Sequence, residues 1–151
     1  FGPGWNDSPF QLPDERLGDF NLAAPGMYSS HAVCLNIHHD YQAHGHSCNE
    51  RGFNTLACGG FQVSDYARRL RHYFPEDEVV MGDSPDDFTD KVRHFSANPD
   101  ERQPYMAKAR ERVLAEHTYH HRLAGVVSYL LDGCAVTEHQ PLMGDRADVV
   151  E

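Results

Sequence analysis

The chain has 151 residues, enough for one domain with a real core and too short for two ordinary ones. Thirteen Lys and Arg face twenty-three Asp and Glu, a formal charge of −10, which argues against a binder of nucleic acid or anionic membrane, since either would need a basic face. With 40% hydrophobic residues the chain is no disordered acidic polymer, and no apolar run approaches the roughly 20 residues that cross a bilayer. A soluble, cytoplasmic domain without signal peptide or transmembrane segment is expected. The four cysteines, Cys34, Cys48, Cys58 and Cys134, form no CxxC pair and are read as reduced, mostly buried thiols.

Residues 1–30 are rich in Gly, Pro and Asn, with Gly2-Pro3-Gly4, Ser8-Pro9, Leu12-Pro13 and Ala24-Pro25-Gly26. They read as a loop-rich lead-in, with a short helix near Pro13 to Leu17. The opening FGPGW reads as the end of a strand rather than a natural start, as in a piece cut from something longer. His31 to Ile37 is a buried strand, followed by a polar loop from His39 to Cys48. Asn49 caps a helix over Glu50 to Cys58, and Gly59-Gly60 stops it. A strand over Phe61 to Ser64 leads to Asp65, read as the cap of a helix from Tyr66 to Tyr73. Glu78 to Met81 is a third strand.

Ser84-Pro85-Asp86-Asp87 then sets a helix cap, Pro at the first helical position and acids in the first turn. Asn98-Pro99-Asp100-Glu101 repeats that grammar. A last helix over Tyr119 to Leu131 is expected to bury Leu123, Val126, Val127, Leu130 and Leu131, with His117, His120 and His121 capping and packing near its start. A flexible tail follows from 132 to 151. Strands alternating with helices give an α/β domain with a parallel sheet.

In such sheets ligands bind beyond the carboxyl ends of strands. Two places qualify: the loop from His38 to Asn49 with the helix after it, and Ser64-Asp65-Tyr66. A helix N-terminus suits a phosphate, and Arg51 in the first turn adds a bidentate donor. His38, His39, Asp40, His44, His46 and Cys48 carry zinc-type ligand atoms, but their spacing fits no metal motif. The acids Asp77-Glu78 and Asp86-Asp87-Asp90 read as solvated turn and helix-start charges.

LNIHHD (35–40), NERGFNTLACGGFQVSD (49–65), SPDDFTDKVRHF (84–95), NPDER (98–102) and AEHTYHHR (115–122) together resemble the C-terminal domain of CgeB-like group 1 glycosyltransferases. The resemblance covers about two-thirds of the chain, centred on an R-x-F-x-x-x-A-x-G core. It implies a Rossmann-like domain over 31–131, the C-terminal half of a two-domain GT-B fold, binding the nucleotide-sugar donor. The partner domain would lie N-terminal and carry the acceptor, whether glycan, protein or small molecule. The resemblance places diphosphate against Asn49, Glu50, Arg51 and Gly52, ribose near Asn54, and Ser64 and Asp65 along the cleft. It implies no obligatory metal and no resident cofactor. His38 and His39 are weak candidates for an acid or base beside the donor. The fragment alone would be inactive. One departure is Asn54, where the family usually carries an acid that binds ribose; His46 stands where the wider group often has another. These exchanges leave open a degenerate scaffold or sugar-recognition module, and less readily a His-rich metal-binding domain.

Overall fold

The computed structural model describes residues 20–45 and 47–132, and these fall into two compact units divided after Ala115. Among the described residues the first unit holds three strands, β1 (Cys34–Asn36), β2 (Gln62–Asp65) and β3 (Val80–Gly82), paired in parallel in that order. Helices α3 (Arg51–Ala57) and α4 (Arg68–Tyr73) connect them. Before β1 stands α1 (Phe20–Ser30), and α2 (Asp40–Ala43) is a single turn after it. After β3 come α5 (Pro85–Ala97) and α6 (Pro99–Glu116). The fold is α/β and Rossmann-like, a parallel sheet flanked by helices, as expected from alternating strands and helices.

The sheet is covered on both faces, which is what an all-parallel sheet requires. On one side Leu56 of α3 and Leu70 of α4 pack with Phe74, Val79, Met81, Ala109 and Val113. On the other, Val63 and Val80 pack with Phe61 and Phe95, supported by Phe88, Val92 and Tyr105. Val63, Leu70 and Phe74 are fully buried, so these two clusters supply the main apolar burial that offsets chain entropy.

Local grammar holds where it was strongest. Ser84 Oγ accepts from the Asp87 N–H at 3.2 Å, with Pro85 opening α5. Gly59 takes φ +76° just after α3, the left-handed conformation that ends a helix without a Cβ penalty. Asn49 Oδ1 accepts from the Gly52 N–H at 3.2 Å, so Asn49 caps the first turn of α3.

Five expectations are corrected. The strand read as buried over His31 to Ile37 is confined to Cys34–Asn36. As the first strand of the sheet, paired on one side by β2 among the described residues, it leaves Leu35 and Ile37 exposed. Residues 20–30 are helix, not loop, in spite of Pro25, because Ala24 and Tyr28, one turn apart, are buried and α1 packs against α3. The His39–Cys48 loop contains α2, whose Gln42 Oε1 accepts from the His39 N–H at 3.3 Å. Asp65 caps no helix: α4 begins at Arg68 after Ala67, and the Asp65 carboxylate bonds His38 instead. In the second unit α7 (Tyr119–Asp132) forms, but Leu123, Val126, Val127, Leu130 and Leu131 are exposed rather than buried. A helical stripe predicts which residues share a face; it does not supply the surface that would cover them.

The start of α7 is closed by its own residues: His121 Nδ1 accepts from the Thr118 N–H at 3.3 Å and lies 2.7 Å from Thr118 Oγ1. Cys34 and Cys58 are free thiols; burial pushes both up in pKa, which keeps them protonated and weakly nucleophilic. The expected helix near Pro13 to Leu17, Cys134, His46 and the tail from 133 lie outside the described residues. No helix among the described residues is long and apolar enough to cross a membrane.

Candidate functional site

Register brings the chemistry together at the carboxyl ends of β1 and β2. Asn36 stands opposite Ser64 in the parallel pairing, and both side chains are fully buried. Asn36 Nδ2 donates to Ser64 Oγ at 3.2 Å, and Ser64 Oγ donates onward to Asp65 Oδ1 at 3.4 Å. Two residues past β1, the chain presents His38 to the end of β2. Asp65 takes it with both oxygens: Oδ2 accepts the His38 backbone N–H at 2.9 Å, and Oδ1 lies 2.6 Å from Nδ1 of the ring. The His38 side chain is 0% exposed and Asp65 29%. Oxygen atoms of an ionised carboxylate only accept, so Nδ1 is the ring nitrogen placed to donate. His38 Nε2 is buried and has no hydrogen-bond partner among the described residues.

The two neighbouring histidines therefore differ in kind. His38 is locked inside the fold; His39 is exposed, its ring 5.2 Å from that of Tyr41. His44 Nδ1 lies 3.1 Å from the carbonyl of Asp40 in its own turn. Among the described residues no three His, Cys, Asp or Glu side chains are grouped to hold a metal ion.

The second part of the site is the start of α3. Asn49 Nδ2 donates to the Ile37 carbonyl at 3.4 Å, which ties the helix start to the end of β1. The Gly52 N–H is taken by Asn49 Oδ1, and those of Phe53 and Asn54 by the Glu50 carbonyl at 2.9 and 3.0 Å. Glu50 and Arg51 contribute the amides that precede the first intrahelical bonds. Glu50 and Arg51 are exposed and Asn54 is the next turn's outward residue on α3, whereas Gly52 is buried. The Arg51 guanidinium lies near the Tyr28 phenol, whose pKa is raised because burial outweighs the attraction of Arg51. That neighbour is neutral, so it does not itself offset the charge of Arg51.

Of the residues singled out from sequence, His38, Ser64 and Asp65 form one bonded group, and Asn49, Glu50, Arg51 and Gly52 form the adjoining turn. His39 and Asn54 lie on the surface. Two participants were missed. Asn36 carried a signal, a polar residue inside an apolar strand, which marks a buried side chain with a bonding role. Tyr28 carried none, because its contact with Arg51 spans 23 positions and depends on α1 packing against α3. Four of the five acids are paired, Asp77 with Lys108 at 2.7 Å, Glu78 with Arg112 through two bonds of 2.5 and 2.7 Å, Asp87 with Lys91 at 2.6 Å and Asp90 with Arg93 at 3.2 Å, and Asp86 lies in the first turn of α5.

No curated protein and no solved structure matches the chain at a significant level. A family model described as glycosyl transferase-like matches residues 1–128. That match spans most of the chain, including all three strands and the turn at Arg51, and the chain belongs to this glycosyltransferase-like family.

Proposed function

We propose that the chain is the donor-binding domain of a CgeB-like, GT-B glycosyltransferase, holding a nucleotide diphosphate sugar for transfer to an acceptor bound largely by a second domain. The observation that carries this reading is the arrangement at the ends of β1 and β2. A rigid bonded group from Asn36 to Asp65 stands beside a helix start bearing an arginine near a neutral phenol. Diphosphate would lie against the amides of Glu50 and Arg51, with the Arg51 guanidinium donating to a phosphate oxygen. Asn54, on the same helix, would face ribose through its amide. Helix amides and one guanidinium offset the diphosphate charge without a metal. The acceptor, a glycan, a protein or a small molecule, would not be held by this domain alone, so the fragment would bind donor without turnover. A cytoplasmic location accords with free thiols and a cytosolic pool of sugar nucleotides.

Calorimetric titration with UDP and GDP tests the reading. Binding in the micromolar to millimolar range is expected, weakened roughly tenfold by Arg51→Ala, a loss of about 1.4 kcal/mol. No binding at millimolar nucleotide, or affinity indifferent to Arg51→Ala, would overturn it. A second reading, a domain that has lost donor use and serves as scaffold or sugar-recognition module, draws on Asn54, where an acid is usual. Asn54→Glu separates them. Tighter nucleotide binding in the variant favours decay, and weaker binding favours an asparagine adapted to its own donor.

A further inference from the structure

His38 Nε2 is the atom in this fold whose chemistry is most narrowly defined. Its ring is wholly enclosed, and the Asp65 carboxylate fixes the other nitrogen as the one placed to donate. The fixing is rigid: Oδ2 of the same carboxylate holds the His38 backbone N–H at 2.9 Å, and Ser64 and Asn36 brace Oδ1 from behind. A neutral imidazole with its proton on Nδ1 presents a lone pair at Nε2. A buried polar atom without a partner is costly, and among the described residues Asn36 Oδ1, Thr55 Oγ1 and the Gln62 amide share that condition. Nε2 is set apart by the Asp65 carboxylate on its other ring nitrogen at the carboxyl ends of β1 and β2.

We propose that the His38–Asp65 pair is a preset hydroxyl acceptor: Asp65 holds the ring proton on Nδ1 so that Nε2 takes a hydrogen bond from a hydroxyl of the bound sugar nucleotide. The proposal rests on the donor-binding reading and adds to it a specific selectivity. A phosphate oxygen has no proton to give and is refused at this atom; a ribose or sugar hydroxyl is accepted. Diphosphate recognition at Arg51 and hydroxyl recognition at His38 are then divided between two adjoining groups, the helix start and the strand ends, joined by the Asn49 bond to Ile37.

Asp65→Asn provides a test that barely alters shape. The His38 backbone N–H can only donate, so it claims the amide oxygen of the new side chain and leaves the NH2 facing Nδ1. Nδ1 must then accept, and the ring proton moves to Nε2. Nitrogen-15 NMR of the full labelled chain at pH 8, where an imidazole is ordinarily neutral, reads this directly. The expected result is a protonated Nδ1 and bare Nε2 in the wild type, reversed in Asp65→Asn. A wild-type ring protonated on Nε2 overturns the proposal whatever the chain binds.

Calorimetry at the same pH with UDP, its 2′-deoxy and 3′-deoxy analogues and UDP-glucose supplies the second arm. His38→Ala and Asp65→Asn should each weaken binding about five- to tenfold, while His38→Gln, whose amide oxygen reaches a similar position, should recover most of it. Loss already seen with UDP, and abolished for one deoxy analogue, assigns the hydroxyl to ribose; loss confined to UDP-glucose assigns it to the transferred sugar. If wild type binds nucleotide and the His38 and Asp65 variants bind it equally well, the proposal fails while the donor-binding reading stands. It fails in the same way if His38→Ala lowers only the melting temperature, because the residue then serves the fold alone. If no nucleotide binds the wild type, both fall.

Discussion

Gly82 shows how sharply a single position can be dictated by its surroundings. It ends β3, and a Cβ built there would lie 2.5 to 2.7 Å from the Cα, Cβ and backbone N of Phe88. Backbone cannot rotate away as a side-chain tip can, so even one methyl group would push α5 off the sheet. Gly82→Ala should cost about 1–3 kcal/mol, the usual range for overpacking. Urea unfolding followed by circular dichroism checks it, and a midpoint unchanged from wild type would show that α5 is not seated as described. The requirement was invisible in sequence, where Met81-Gly82-Asp83 reads only as the end of a strand. The same holds for Asp65: a carboxylate just before a helix is ordinarily a cap, and only register reveals a histidine 27 positions earlier as its partner. Ser84 was legible because its partner, the N–H of Asp87, is three residues away.

At the scale of elements, the helices are held in place partly by ion pairs that bridge them, and these respond to pH in a defined way. Asp77, between α4 and β3, accepts from Lys108 of α6 at 2.7 Å. That bond, with the lysine charge, holds the Asp77 carboxyl below its ordinary value and raises Lys108 above its own. A carboxylate depressed in the folded state stabilises fully above its unfolded value, near ~3.9, and loses that contribution as pH falls through the folded one. A raised lysine stabilises fully below its unfolded value, near ~10.4, and fades as pH climbs through the folded one. The pair therefore acts between roughly pH 4 and 10. Lys108→Met should lower the melting temperature modestly at pH 7, both groups being exposed, and the gap from wild type should be smaller at pH 2. An equal gap at both values would mean that lost packing, not charge, explains the variant. The places of the strands, the Ser84 cap and the Gly59 stop were readable because propensity and pattern agree over a few residues. Asn98, by contrast, read as opening α6, turns its amide back to the His94 carbonyl and closes α5. Helix α1 was not, since Pro25 argues against it locally and only contact with α3 makes it worthwhile. The α7 stripe was read correctly as helix and wrongly as buried, since periodicity reports a face and not its cover.

For the whole molecule the question is how a chain of charge −10 could hold a diphosphate, itself an anion. Several of its cations are paired: Lys108, Arg112, Lys91 and Arg93 each hold an acid, and Arg102 Nη1 donates to the Ala32 carbonyl at 2.5 Å, while Arg69 donates to the Tyr73 phenol at 3.1 Å. Arg51, at the proposed site, has a neutral phenol as its neighbour. Attraction would thus act over the length of a hydrogen bond, while repulsion comes from acids spread over the surface. Salt separates these ranges. Raising ionic strength from about 0.01 to 0.15 M shortens the screening length from ~30 to ~8 Å, which removes most of the distant repulsion and spares a direct guanidinium–phosphate contact. Affinity for UDP should therefore stay level or rise across that range, and association should quicken. A cleft that worked by long-range steering would do the opposite, losing on-rate steeply with salt. Stopped-flow and calorimetric titrations at the two ionic strengths decide between them. A marked fall in affinity would mean that more of the molecule's cations face the ligand than Arg51, and the site would have to be redrawn around them.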